Sequence, residues 1–197
     1  MECVDVSLAL HALVGVSLVV AGANLMTHMG QFARGFGAYC FALGYLMLGS
    51  AASGRNFGEV NLQNRRYLIG VGSAAAIIAG TFLMYYHVQD LLTKLLKGGR
   101  LEEDLPQVTA DILKSIPLVY QLLIYAGFAG LVLTIAMRED GTFNMVKGAL
   151  ALGSFLVVGY TRNELLKAMV HGADLEKNQV AHMLSMGLLV LAIAYNC

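Results

Sequence analysis

The chain has 197 residues, 57% of them hydrophobic and only 13% charged, with 13 basic and 13 acidic side chains. A soluble domain carries nearer ~25% charged residues, so this exterior is too poor in polar groups to face water and is expected to face lipid. The zero net charge removes the basic face that nucleic acid requires. Cys3, Cys40 and Cys197 share no CxxC or Cys/His spacing, which excludes a disulfide framework and a zinc site of the usual kinds.

Apolar segments at about 6–26, 35–53, 67–88, 116–137, 143–160 and 180–196 are long enough, or nearly so, to cross a bilayer. The sequence therefore predicts an all-α integral membrane protein: one transmembrane domain over 1–197, built as a bundle of about six helices. Nothing indicates which membrane. A five-helix arrangement, with the fifth or sixth segment lying in the interface, is the structural alternative. Ala21-Gly22-Ala23 at the end of the first segment resembles a signal-peptide cleavage site. The residues before that segment include Glu2 and Asp5 and no Lys or Arg, so a retained helix is expected.

Short connections at 27–34, 54–66 and around Arg138-Gly141 make neighbouring helices antiparallel. Two stretches, 89–100 and 162–171, are basic and amphipathic, and predict two short interfacial helices ended by Gly98-Gly99 and Gly172. The odd-numbered loops carry more Lys and Arg than the even ones, which places them in the cytoplasm and both termini outside. An offset of 109 residues lays the first three segments on the last three, as an inverted repeat would.

Helices in lipid associate through close backbone approach, so small residues at spacings of four mark packing stripes. Gly72, Ala76 and Gly80 form one on the third segment, Ala126 and Gly130 one on the fourth, and Ala149 and Gly153 one on the fifth. Tyr67, Tyr85, Tyr86, Tyr120, Tyr160 and Tyr195 fall near segment ends, where an aromatic belt anchors helices at headgroup level.

Signs of chemistry are sparse. The apolar cores hold no Asp, Glu or Arg, which argues against a proton-coupled pump, and Lys147 starts the fifth segment where it can snorkel outward. His87, Gln121 and His182 fall at similar depth and form a candidate polar cluster for a headgroup. No HxxxH or HExxH spacing points to a metal, and no GxSxG elbow or P-loop is present, so no catalytic residue and no cofactor is expected.

The function this implies is a non-catalytic structural or scaffolding subunit of a larger membrane assembly, such as a respiratory complex, a secretion apparatus or a virion membrane. Its partners are the lipid bilayer and other membrane subunits. A small transporter or channel with a three-plus-three inverted repeat is the alternative, and a lipid-directed membrane enzyme using His87, Gln121 and His182 is the second. A passive subunit is expected to fill its interior with Leu, Val, Ala and Gly. The deep hydroxyls of Ser73, Thr81 and Ser154 would bond locally, with no cavity reaching the midplane.

Overall fold

The structure is a computed structural model that describes residues 4–26, 31–97, 114–171 and 175–195. Its helices are α1 (Val6–Met26), α2 (Gln31–Ala52), α3 (Arg65–Lys97), α4 (Leu118–Ala136), α5 (Met145–His171) and α6 (Leu175–Ala194). No strand occurs among the described residues beyond two isolated bridges, Val4 with Tyr195 and Met137 with Phe143. Four helical stretches, Val6–Met26, Phe32–Ala52, Arg65–Leu91 and Leu118–Ala136, are long and apolar enough to cross a membrane. The apolar parts of α5 and α6, Met145–Thr161 and Val180–Ala194, are shorter.

Each helix packs on its neighbours in the chain, and α6 returns to α1. The helices thus close a ring, and the contact between α2 and α4 across it is light. Two consecutive antiparallel pairs, α1 with α2 and α3 with α4, are the tightest. Under the 109-residue repeat, α4 with α5 should pack like α1 with α2, yet that pair meets far more loosely.

One end of the ring gathers both chain ends and is built from helix caps. α1, α3 and α5 all start there with an Asx cap: Asp5 accepts from Leu8 N at 3.0 Å, Asn64 from Tyr67 N at 3.2 Å and Asn144 from Lys147 N at 3.0 Å. Asp5 N in turn donates to Ala194 O at 2.9 Å, tying the first helix to the last. α2 stops in a Schellman motif. Gly54 N donates to Ala51 O and Arg55 N to Ser50 O, and Gly54 takes the left-handed conformation at φ 77°. The α4–α5 connection is a small hairpin turning at Gly141, φ 83°. There Thr142 donates to Asp140 through its amide (2.9 Å) and its hydroxyl (2.6 Å), which holds the Asp140 carboxyl below the usual carboxylate range.

Glycine sets the closest approaches. Gly22 faces Gly37 and Gly15 faces Gly44, so two glycines seven residues apart on α1 meet two seven apart on α2. A Cβ at Gly22 would stand 2.6 Å from Gly37 O, and one at Gly44 2.5 Å from Gly15 O. Gly49 meets Gly70 in the same way between α2 and α3. Between α3 and α4, Gly127 admits Ile77, Gly130 admits Ser73, and Gly80 sits on Ile124 and Tyr120.

Two expectations need correction. The stretches 89–97 and 162–171 are not separate interfacial helices; they continue α3 and α5 without a break. No Gly or Pro interrupts either helix after its apolar part, so the i to i−4 bonding runs on. The small-residue stripes are also out of phase with the packing. Gly80 and Gly130 lie in a contact, but Gly72 and Gly153 meet nothing within 4 Å. Ala76 is half-buried, and Ala126 and Ala149 are exposed. Spacing by four continues a stripe without saying which way it faces. The glycine stops at 98–99 and 172, His28, and the acidic run 102–104 lie outside the described residues.

Candidate functional site: a cavity inside the ring

Closing six helices into a ring leaves a space at the axis that the side chains do not fill. The cavity holds about 600 Å³ and draws lining residues from all six helices. The expectation of an interior filled by side chains is therefore not met, although Ser154 does bond locally, donating to Leu150 O at 2.7 Å.

The lining is graded along the axis. Toward the end holding the termini it is wholly apolar and buried: Leu48, Ala52, Leu131, Ile135, Leu189 and Ile193. An aromatic arc crosses the middle. Phe41 stands edge-on to Tyr45 at 4.9 Å, Tyr45 faces Phe128 at 6.4 Å, and Phe128 meets Phe155 at 5.2 Å. At the far end are Met26 and Met84, with Met186 nearer the middle, and their unbranched side chains adapt to different shapes. Of the polar lining groups, Asn24, Thr81 and Tyr85 lie in the far half, His182 near the level of Phe41, and Tyr45 nearer the termini.

Helical rise gives the length. Phe41 to Ala52 on α2 and His182 to Ile193 on α6 advance eleven residues through the half nearer the termini, and Ile77 to Val88 on α3 another eleven through the far half, together about 33 Å at ~1.5 Å per residue. That is close to the ~30 Å hydrocarbon thickness of a bilayer.

The polar lining groups are organised. The Tyr85 hydroxyl donates to Met26 O at 2.9 Å. His182 Nδ1 is 3.1 Å from Thr161 Oγ1, which is 2.9 Å from Ser185 Oγ, and Ser185 donates back to His182 O at 2.6 Å. Of the expected polar cluster, only His182 lines the cavity. His87 donates through Nε2 to Ser115 O at 3.2 Å and stands edge-on to Tyr120, while Gln121 is half-buried on α4. The helices bearing His87 and His182 are not packed neighbours. Among the described residues no group of three His, Cys, Asp or Glu is placed to hold a metal ion.

A second, polar pocket of about 500 Å³ lies under the termini, lined by Asp5, Arg66, Arg138, Glu139, Asn144 and Lys147 among others. Arg66 explains it. Its Nε donates to Thr134 O at 3.0 Å and its Nη2 to Ala52 O at 3.1 Å. One guanidinium thus satisfies carbonyls at the C-terminal ends of both α4 and α2, where a cation also complements the helix dipoles. Lys147 is buried here, 7% exposed, rather than snorkelling outward. Ile135 borders both spaces. His11, also near this end, accepts from Phe57 N at 2.6 Å and pins the second loop to α1.

No family model, curated protein or solved structure matches the chain.

Proposed function

We propose that the chain is a multi-pass integral membrane protein of six spans, in one domain, that holds a single apolar lipid chain in its axial cavity without catalysing a reaction. The observation that carries this is the cavity's volume combined with its lining. The space of about 600 Å³ is part open to its surroundings and lined mainly by apolar side chains, so apolar groups that enter it gain dispersion contacts and leave no polar group unpaired. Water is a poor filler, since it needs two to four polar partners and the inner half offers only the Tyr45 hydroxyl. A hydrocarbon chain needs no such partners, and the surrounding bilayer supplies it in quantity.

The two shorter apolar helices are read as spans for two reasons. Counted to their ends, α5 has 27 residues and α6 has 20, about 40 and 30 Å of helix, enough to cross. Their outer faces are also apolar and exposed, with Leu152, Leu156, Val157, Leu184, Leu188 and Leu191 turned away from the ring. Six spans put both termini and the even-numbered loops on one side. Cysteines introduced at Phe57 and Glu139 should then react from the same face of sealed vesicles, and reaction from opposite faces would rule the topology out. Scaffolding within a larger assembly, the role that composition favours, leaves the cavity without a purpose, so chain holding is put first.

The test is photolabelling of the purified chain with a fatty acyl probe bearing a diazirine at its methyl end. Crosslinks should map to Leu131, Ile135 or Ile193 and disappear under excess unlabelled lipid. Crosslinks confined to outward residues such as Leu152 and Leu184 would refute the proposal.

A further inference from the structure

We propose that the polar pocket under the termini is an anion site, built to hold one phosphate group among Arg66, Lys147 and Arg138. It shares only Ile135 with the axial cavity, and would act whatever that cavity holds.

Three cations line the pocket against two carboxylates, Asp5 and Glu139. Arg66 and Lys147 stand near enough for their charges to repel, and Arg55, just outside the lining, repels Arg66 in the same way. The buried Nε of Arg55 has no hydrogen-bond partner among the described residues. Like charges gathered in a part-buried space destabilise one another unless an anion joins them. The carboxylates offset them only in part. Asp5 faces Lys147, but its Oδ1 also caps α1 through Leu8 N; Glu139 faces Arg66 and is exposed.

The backbone adds to the positive field. α1 and α5 begin at this pocket, at Asp5 and Asn144, so the positive ends of two helix dipoles open on it. The negative ends are partly covered: Arg66 bonds Ala52 O and Thr134 O at the ends of α2 and α4, and Ala194 O at the end of α6 takes Asp5 N. Those bonds use Nε and Nη2 of Arg66 and leave Nη1, which lies beside the lining residue Gly54; a Cβ there would stand 3.2 Å from it. The three cations come from α3, the α4–α5 turn and α5. A carboxylate offers two oxygens in one plane, whereas a phosphate offers three or more about a centre, which suits donors carried on separate elements. The pocket lies at the level where the helices begin and end, so the phosphate of a lipid headgroup and a dissolved phosphate can both reach it.

The test is binding to the purified, delipidated full chain in an uncharged detergent. Inorganic phosphate is followed by calorimetry at constant ionic strength, and phosphatidate, set against diacylglycerol with the same chains, by native mass spectrometry. Saturable binding of one phosphate per chain is expected. Lys147→Met should weaken it about tenfold. Arg138→Gln, at an exposed position that leaves folding intact, should weaken it about threefold. Glu139→Gln should tighten it about twofold, because it removes a carboxylate that competes for Arg66. A purely structural ion network would lose stability on that last change and gain no affinity. Phosphatidate that competes with inorganic phosphate and outbinds diacylglycerol identifies a membrane lipid as the source, and inorganic phosphate bound without such competition identifies a dissolved one. Binding of neither, or binding that Arg138→Gln and Glu139→Gln both leave unchanged, overturns the site.

Discussion

Replacing Gly22 by Ala puts a methyl group where there is backbone. The new Cβ would stand 2.5 Å from Phe41 N, 2.6 Å from Gly37 O and 2.9 Å from Phe41 Cα. None of these is the end of a flexible side chain, so α1 and α2 must part by roughly 1 Å at that level, a gap that forfeits a quarter to a half of each dispersion contact it opens. Overpacking of this kind costs about 1–3 kcal/mol, and rigid neighbours place it near the top. Ala returns about 1 kcal/mol of helix propensity relative to Gly, leaving a net loss of about 2 kcal/mol. For a chain of this size that lowers Tm by about 4–8 °C. Gly72→Ala is the matched control. Gly72 is also mid-helix but meets nothing within 4 Å, so the same substitution should raise Tm by about 2–4 °C. Thermal unfolding in one mild detergent, followed by circular dichroism, compares the two. Equal shifts, or a stabilised Gly22→Ala, would refute the glycine-zipped α1–α2 pair.

Arg66→Met keeps the length of the side chain but leaves Ala52 O and Thr134 O without their donor, so chemical denaturation should show a loss of about 2–4 kcal/mol. Gly54→Ala forces a Cβ into the left-handed region at φ 77° and brings it 3.2 Å from Arg66 Nη1; an expected loss of about 1–2 kcal/mol should appear in the same assay. His11→Ala frees Phe57 N, and hydrogen exchange at that amide should quicken while the helix amides of α1 keep their protection. Asp140 has a depressed carboxyl, so its support of the Arg138–Thr142 turn is present above the ordinary carboxylate range and is lost as pH falls through the lowered value. The protection of Thr142 N relative to its intrinsic exchange rate should fall over that acid window, and Asp140→Asn should abolish that fall.

Hydropathy revealed the six helices because each is built on an apolar run, and a backbone withdrawn from water closes its own hydrogen bonds most simply as a helix. The segment ends were less legible. α3 and α5 outrun their apolar parts because neither 89–97 nor 162–171 contains a breaker, and amphipathic pattern alone does not say where a helix bends. The packing stripes failed in phase. On α3 the contacting face runs through Gly70, Ser73, Ile77 and Gly80, so a reading in steps of four from Gly72 starts off it and meets it only at Gly80. A usable signal was present in the equal seven-residue spacings Gly15–Gly22 and Gly37–Gly44, which let both glycine pairs meet once the short first connection makes α1 and α2 antiparallel. The Asx caps at Asp5, Asn64 and Asn144 were equally readable, each three residues before the amide it caps. The cavity was not readable. Its Val, Ile, Leu, Phe and Met lining is the composition of any filled core, and the space exists only because the ring closes.

The central claim is that this space holds one chain of limited length. Equilibrium displacement of the diazirine probe by a series of saturated chains tests it most directly. Each added methylene should tighten binding by about 0.8 kcal/mol, roughly fourfold, until the chain reaches the end of the cavity, about 33 Å at the helical rise. Beyond that length affinity should stop rising, and filling the inner end with Ala52→Phe should move the plateau to shorter chains. Affinity that climbs without a break, as in simple partition into detergent, or that ignores Ala52→Phe, would contradict the account.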